Sequence, residues 1–444
     1  MKEPNIQHVK PPTSEPQLRV GIVLEDDKNT EVTFVAAGNN FNITGLPTSL
    51  TLEDKNSISV KKSGDLISVN GHSVSKLELV PTQDSRIQPR RGISISPVRA
   101  GRGFHWQKDI TAIFSGSIEV LPAKEGLIVV NKVSFEDYVA SVISSEMSGE
   151  CPVEFAKAQA VTARSWGLVF LGNKHTGMPY SICNDDCCQR YQGTTNLTQK
   201  SLTAVTDCRG EILVSSEGNI CPAYYSKSCG GKTDTIDAIF GLTGANSNSS
   251  TDGPSPVELD LKEENNFRVF LTEFGQIFCS EKSVTPQQLK TFLGGVDVES
   301  SYFRWNENIS SEVVLKNLAE KFNIHDASAL INLIPGQRGE SGRLITMEIL
   351  YLTTECKEEK LILNSQFEIR NLLHQKFLKS SAFVVESTTR SSLGHISSIN
   401  LLGAGWGHGV GLCQIGALGM ALSGESYRTI LKHYYPSYRS AQSY

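Results

Sequence analysis

Between Leu18 and Val130 the chain is a succession of short β-branched runs broken by Gly, Asn and Asp, and at Phe135 this pattern gives way to a helical period. That change of period constrains the fold most, because a sequence written for a pleated surface does not settle as a helix, nor the reverse. The runs Leu18–Leu24, Glu31–Ala36, Ser57–Lys61, Asp65–Val69, Lys76–Val80, Ile110–Phe114 and Leu127–Val130 are predicted strands. Asn70-Gly71 separates two candidate strands and suits a tight hairpin, since φ > 0 costs both residues little. From Phe135 onward, Tyr138, Val142 and Glu146 fall on one helical face, flanked by Val139, Ile143 and Met147. Gly149 is expected to end this helix. Pro152 then opens a second one that runs through Ala156, Ala160 and Ala163 to about Phe170.

The reading that follows is an α+β protein. A flexible polar, Pro-rich tail (1–17) precedes a β-rich region (18–125) and a mixed α+β core in two parts, 126–245 and 396–444. A Ser/Asn/Gly/Pro loop starting at Asn246 marks the beginning of a long α+β insert (246–395). The insert shows helical patterns near Pro286–Leu293 and Ser311–Phe322 and strand patterns near Leu344–Leu352 and Glu359–Leu363. No internal repeat is visible.

Charge and hydropathy narrow the function classes. Lys and Arg number 42 against 47 Asp and Glu, a net −5, so no global basic field draws the chain onto nucleic acid or acidic lipid. No run approaches the roughly 18 apolar residues of a membrane span. Met1–Gln17 has no apolar core, so no secretory signal is visible in it.

Several residues could carry chemistry. Glu146 shares the helical face of Tyr138 and Val142, and a carboxyl on a buried face can donate a proton to a leaving oxygen and later take one back; the bland alternative is a helix-end Glu at the rim of a packed face. Lys157 and Arg164, seven apart, share a face of the second helix and could approach a polar substrate, hold Glu146, or simply face solvent. Three of the ten cysteines, Cys183, Cys187 and Cys188, lie within six positions, with His175 eight residues upstream. Zinc is the natural metal for such ligands, in a structural rather than water-activating role. Disulfides from these cysteines to Cys151, Cys208, Cys221 or Cys229 are the alternative.

Tyr225, Lys227 and Ser228 precede Cys229-Gly230-Gly231, where backbone can come close to a ligand. Gly405-Trp406-Gly407-His408-Gly409-Val410-Gly411 does the same with alternating glycines. It lacks the G-x-G-x-x-G spacing of a dinucleotide loop. Its Trp406 suits stacking on a sugar ring, although a packed turn would look alike. A thiol-nucleophile role for Cys229 or Cys413 has nothing to mark either thiol as ionised.

In this context the segments Glu136-Asp137-Tyr138-Val139, Ser145-Glu146-Met147 and Lys157–Arg164 resemble the core of the SpoIID/LytB family. Cys188-Gln189-Arg190-Tyr191-Gln192-Gly193, the Tyr225–Thr233 segment, the alternating-glycine loop and Gln414-Ile415-Gly416-Ala417 resemble it in the same order. The resemblance covers roughly Val130–Gly241 and Gly403–Ser437. The N-terminal β region and the insert are similar to those of Bacteroidetes-type members. The family implies a peptidoglycan lytic transglycosylase that cleaves MurNAc–GlcNAc bonds in peptide-stripped strands, with Glu146 as its acid/base, or a non-catalytic glycan-binding enhancer of a cell-wall amidase. It also implies a cell-envelope location and substrate-binding roles for Lys157, Arg164, Tyr225, Lys227, Ser228, Trp406, His408 and Gln414. The chain departs from some members at Gly177 and Cys187, where they carry histidine, and from many at Cys229 and Cys413, where they carry serine.

Overall fold

Alternating burial organises the N-terminal half in the computed structural model, which describes residues 8–83, 86–103, 107–242, 248–293 and 301–444. The chain divides into two units. One runs to Pro222 and takes in a short piece at Lys290 and the C-terminal Ser440–Tyr444; the other runs from Ala223 and returns to Arg439.

The first unit carries, among the described residues, a seven-stranded and a six-stranded sheet. In the strand Glu31–Ala37 the side chains of Val32, Phe34 and Ala36 are buried while their neighbours are not, the period-2 pattern of a sheet with one apolar face. The Asn70-Gly71 hairpin forms as expected: both residues have positive φ, 48° and 81°, and Val69 pairs with His72 across the turn. The strand Gly92–Ala100 escapes the sequence pattern because Pro97 and Arg99 interrupt it, yet it pairs with Glu31–Ala37 and Lys108–Phe114.

Two strands set up the candidate site. Gln17–Val23 runs antiparallel to Leu127–Ser134 and parallel to the short Ile182–Cys183, so the cysteine segment is stitched onto the edge of the seven-stranded sheet. Leu127–Ser134 leads directly into α1, Phe135–Glu146, whose N-cap Ser134 accepts the Asp137 N–H. The helix stops at Glu146 rather than Gly149, with Met147 as its C-cap. α2, Val153–Phe170, follows, and α3 spans Gln199–Asp207. The small face of α2 permits close approach: a Cβ on Gly167 would stand 3.0 Å from the Phe135 ring.

Residues 8–16 are docked rather than a flexible tail. Pro16 O accepts the Phe135 N–H, Val9 O accepts the Ile220 N–H, and the Glu15 carboxylate accepts the Glu136 N–H. The bonds from Phe135 and Glu136 satisfy helix-start donors that would otherwise be orphaned.

The docked Glu15 leaves Asp137 in a like-charged, largely buried place. Burial first, and Glu15 second, push the Asp137 carboxyl up from 3.8 to about 6. A carboxyl with a raised folded-state pKa favours the fold below its unfolded value, and that contribution is lost as pH rises through about 6. Asp137→Asn is therefore expected to be more stable than wild type at neutral pH by on the order of 1–2 kcal/mol, with the advantage gone near pH 4. Urea unfolding of both proteins at the two pH values measures this.

In the second unit a six-stranded sheet packs against helices Ser311–Phe322 and Gln366–Leu372 through a core that includes Trp305, Leu330, Ile349, Leu372 and Ile399. The insert expected at 246–395 is not autonomous: Ile396–Ala404, expected in the C-terminal part of the core, pairs with insert strands Arg304–Ser310, Ala327–Pro335 and Phe383–Arg390. The 245/246 boundary itself lies outside the described residues. Among these residues no helix is long and apolar enough to cross a membrane.

Candidate functional site

Glu146 is the last residue of α1 and is half-buried. Its Oε1 accepts the main-chain N–H of Arg190 at 3.0 Å. Two neighbouring bonds staple the same segment to α1: Gln192 N–H to Ser145 Oγ (3.1 Å) and Tyr138 O–H to Gln189 Oε1 (3.1 Å). Gln189 Nε2 also reaches the Ala163 carbonyl on α2. The carboxyl is thus oriented by main chain, which holds a group better than another flexible side chain would.

Immediately before that segment, His175, Cys183, Cys187 and Cys188 converge, with their ligand atoms all within 4.8 Å of one another. His175 Nε2 lies 3.3 Å from Cys188 Sγ and 3.8 Å from Cys187 Sγ; Cys183 and Cys187 sulfurs are 2.9 Å apart, Cys187 and Cys188 4.0 Å. A tetrahedral zinc with bonds of about 2.3 Å to sulfur gives S···S edges of about 3.8 Å, so the set has the size and donor chemistry such an ion takes. Hydrogen bonding from Cys183 and Cys188 holds the Cys187 thiol well below its ordinary range, while the bond to Cys187 pushes Cys183 up. A divalent cation would let all three ionise. All ten cysteines are free thiols, so the disulfide alternatives are not formed.

A buried ion pair fixes the cysteine loop. Asp185 accepts N–H bonds from Gly101 and Arg102, and the Arg102 guanidinium bridges Asp185 and Asp27. Asp185 lies inside the cysteine segment, and nothing in the sequence connects it to Arg102.

Arg164 departs from expectation. Its side chain is fully buried and makes a two-pronged pair with Glu136, 2.8 and 2.7 Å, and a bond to the Glu211 carbonyl. It holds a carboxylate, but Glu136 and not Glu146, and no surface is left for a substrate. Lys157 on α2 is largely covered and pairs with Asp207 of α3 at 3.0 Å.

The remaining expected residues belong to the second unit. Tyr225-Ser226 pairs in parallel with Leu412-Cys413, Ser228 and Trp406 exchange main-chain hydrogen bonds, and Lys227 O accepts the Ile415 N–H. The alternating glycines are explained by this geometry: Gly405, Gly407, Gly409 and Gly411 all have positive φ, and a Cβ on Gly409 would lie 2.2 Å from the buried Arg343 guanidinium. Arg343, from the insert, therefore supports the loop from beneath. Trp406 is half-buried against Tyr302, centroids 4.9 Å apart, and His408 Nδ1 accepts the Val410 N–H. Ser228 and Gln414 are buried, which takes both out of reach of a ligand in solvent. Tyr225, Lys227, Trp406 and His408 keep partial exposure.

Residues 123–214 match the family model described as Stage II sporulation protein (SpoIID), and 248–411 match a domain of unknown function (DUF8618). The chain is 27% identical over 358 residues to an uncharacterized protein of Brachyspira hyodysenteriae (strain ATCC 49526 / WA1), a match covering 79% of both chains. It is 25% identical over 303 residues to a protein of Bacillus subtilis (strain 168) named amidase enhancer. That stretch is 66% of this chain and 39% of the Bacillus protein.

Proposed function

Because the chain belongs to the SpoIID/LytB family, we propose that it acts in the cell wall as a lytic transglycosylase on peptide-stripped glycan strands, with Glu146 as the acid/base. The observation that carries this reading is the half-buried Glu146 carboxyl, aimed by the Arg190 N–H from a segment clamped to α1. As acid, Glu146 gives its proton to the oxygen leaving C1 of MurNAc. As base, the same carboxylate takes the proton of the MurNAc C6 hydroxyl, whose oxygen closes on C1. The glycosidic C–O bond breaks and an intramolecular C–O bond forms, so no water and no second carboxylate are needed, unlike in ordinary glycosidases. Lys157 and the partly exposed Tyr225, Lys227, Trp406 and His408 are proposed glycan contacts.

His175, Cys183, Cys187 and Cys188 would hold a zinc ion, whose role is structural: with four protein ligands it has no open position for substrate. Cys188 is two residues from Arg190, so the cluster fixes the segment that orients Glu146. Replacing Cys183 and Cys188 by Ser is expected to remove one zinc per chain. It should also lower the melting temperature by about 10 °C, the loss of an ion worth about 4 kcal/mol when present at a thousandfold its Kd. Metal analysis, calorimetry and hydrogen exchange across 183–192 measure the effect.

A second reading, an enhancer of a cell-wall amidase, is favoured by the name of the Bacillus relative. Mass analysis of peptide-stripped glycan strands after incubation with the protein decides between the two. Anhydro-ended fragments support the transglycosylase, hydrolysed ends indicate a water-using glycosidase, and intact strands with stimulated amidase favour the enhancer.

A further inference from the structure

The second unit gathers three further cysteines and a carboxylate that no motif connects. Cys229 follows the Tyr225-Ser226 strand, Asp252 follows the isolated bridge residue Thr251, Cys279 lies after helix Glu264–Thr272, and Cys413 is the N-cap of helix Gln414–Leu422. All four are buried, and their ligand atoms lie within 4.8 Å of one another. We propose that Cys229, Asp252, Cys279 and Cys413 form a second, structural zinc site, independent of the glycan reading and of the His175 cluster.

Several observations separate this from a chance packing of core thiols. The sulfurs are dressed as anions: Cys413 Sγ accepts the N–H groups of Cys229 (3.2 Å) and Gly416 (3.3 Å), and Cys229 Sγ accepts that of Gly231 (3.3 Å). Main-chain donors aimed at sulfur are what a thiolate ligand needs around it. The Asp252 carboxylate is fixed on both oxygens, by the Tyr434 hydroxyl at Oδ1 (2.5 Å) and the Cys279 N–H at Oδ2 (2.9 Å), which points it into the sulfur cluster. The helix start is built around it: a Cβ on Gly416 would stand 2.2 Å from Asp252 Oδ1.

Charge points the same way. Among the described residues the Arg304 guanidinium donates only to the carbonyls of Leu271, Gly230, Phe303 and Phe270, and the acidic groups acting on it are Cys279 and Cys229. Arg343, fully buried, bonds the Cys229 carbonyl, and the acidic group acting most strongly on it is Asp234. The buried Arg304 cation beside neutral thiols would be poorly compensated; beside a zinc centre of three thiolates and a carboxylate, formally −2, it is matched.

The Cys229 and Cys279 sulfurs are 3.9 Å apart, near the edge of a zinc tetrahedron and far from the roughly 2.05 Å of a disulfide. Thiolate donors select zinc over calcium or magnesium, and four protein ligands make the site structural. One ion would tie together four segments spread from Cys229 to Cys413, including the start of helix Gln414–Leu422.

The test is zinc stoichiometry on the full-length protein by elemental analysis. Wild type is expected to hold about two zinc ions, Cys183→Ser/Cys188→Ser one, and Cys279→Ser one. Cobalt loaded into Cys183→Ser/Cys188→Ser should give the intense visible bands and the sulfur-to-metal absorption of a tetrahedral thiolate site. Asp252→Asn, which keeps the shape of the side chain, covers the case in which Cys279→Ser does not fold. It should retain the fold by circular dichroism yet release one zinc to a chelator at least tenfold faster. The proposal is overturned if Cys279→Ser and Asp252→Asn leave zinc content and release unchanged, if cobalt in Cys183→Ser/Cys188→Ser shows no thiolate absorption, or if peptide mapping finds a Cys229–Cys279 disulfide.

Discussion

Glu146→Gln is expected to lower the release of anhydro-ended glycan products by roughly 10²–10⁴-fold, the usual worth of one positioned acid/base. The substitution is chosen for what it keeps. An amide oxygen can still accept the Arg190 N–H that Glu146 Oε1 accepts, so the 189–192 segment should stay on α1 and the melting temperature should barely move. What is lost is the proton that must pass to the leaving oxygen and the base that must take one back from the C6 hydroxyl. Glu146→Ala removes that acceptor as well and is expected to loosen the segment, which hydrogen exchange would register. If Glu146→Gln abolishes products while glycan binding persists, Glu146 is the acid/base. If it leaves stimulation of an amidase untouched and wild type makes no products, the enhancer reading stands instead.

Arg164→Met is expected to destabilise the first unit by about 3–5 kcal/mol, because it strands the buried Glu136 carboxylate. Tyr444 O–H and Gly210 N–H still reach Glu136 Oε1, but neither supplies the cancelling charge. Replacing both partners by apolar residues should recover most of the loss, since a buried pair is costly to break and cheap to remove whole. The sign with pH follows from Glu136: burial pushes its carboxyl up, but the Arg164 hydrogen bonds and charge outweigh this and hold it below its ordinary value of 4.5. The pair's contribution is therefore present above about pH 4.5 and lost as pH falls below it, and the wild-type advantage over Arg164→Met should shrink there. Denaturant unfolding across that range measures both effects. A loss of glycan affinity with stability intact would return Arg164 to the ligand-binding role first expected of it.

The local order of the chain determined a good deal by itself. Period-2 runs located most strands of the N-terminal region, the Asn70-Gly71 pair its hairpin, and the change at Phe135 the start of α1, because these depend on residues within a few positions of one another. The same holds for the cluster of Cys183, Cys187 and Cys188 with His175, which share one short stretch of chain, and for Glu146 in line with Tyr138 and Val142. Tertiary structure decided what depends on distant partners. Helical spacing put Arg164 on a face with Lys157, but only packing assigned it Glu136 and removed it from solvent. The insert could not be seen to share its sheet with Ile396–Ala404, or to place Arg343 under Gly409, because register between remote strands is set by which faces bury together. Cys229, Asp252, Cys279 and Cys413 carry no spacing at all along the chain; they meet only because four segments fold onto one buried point.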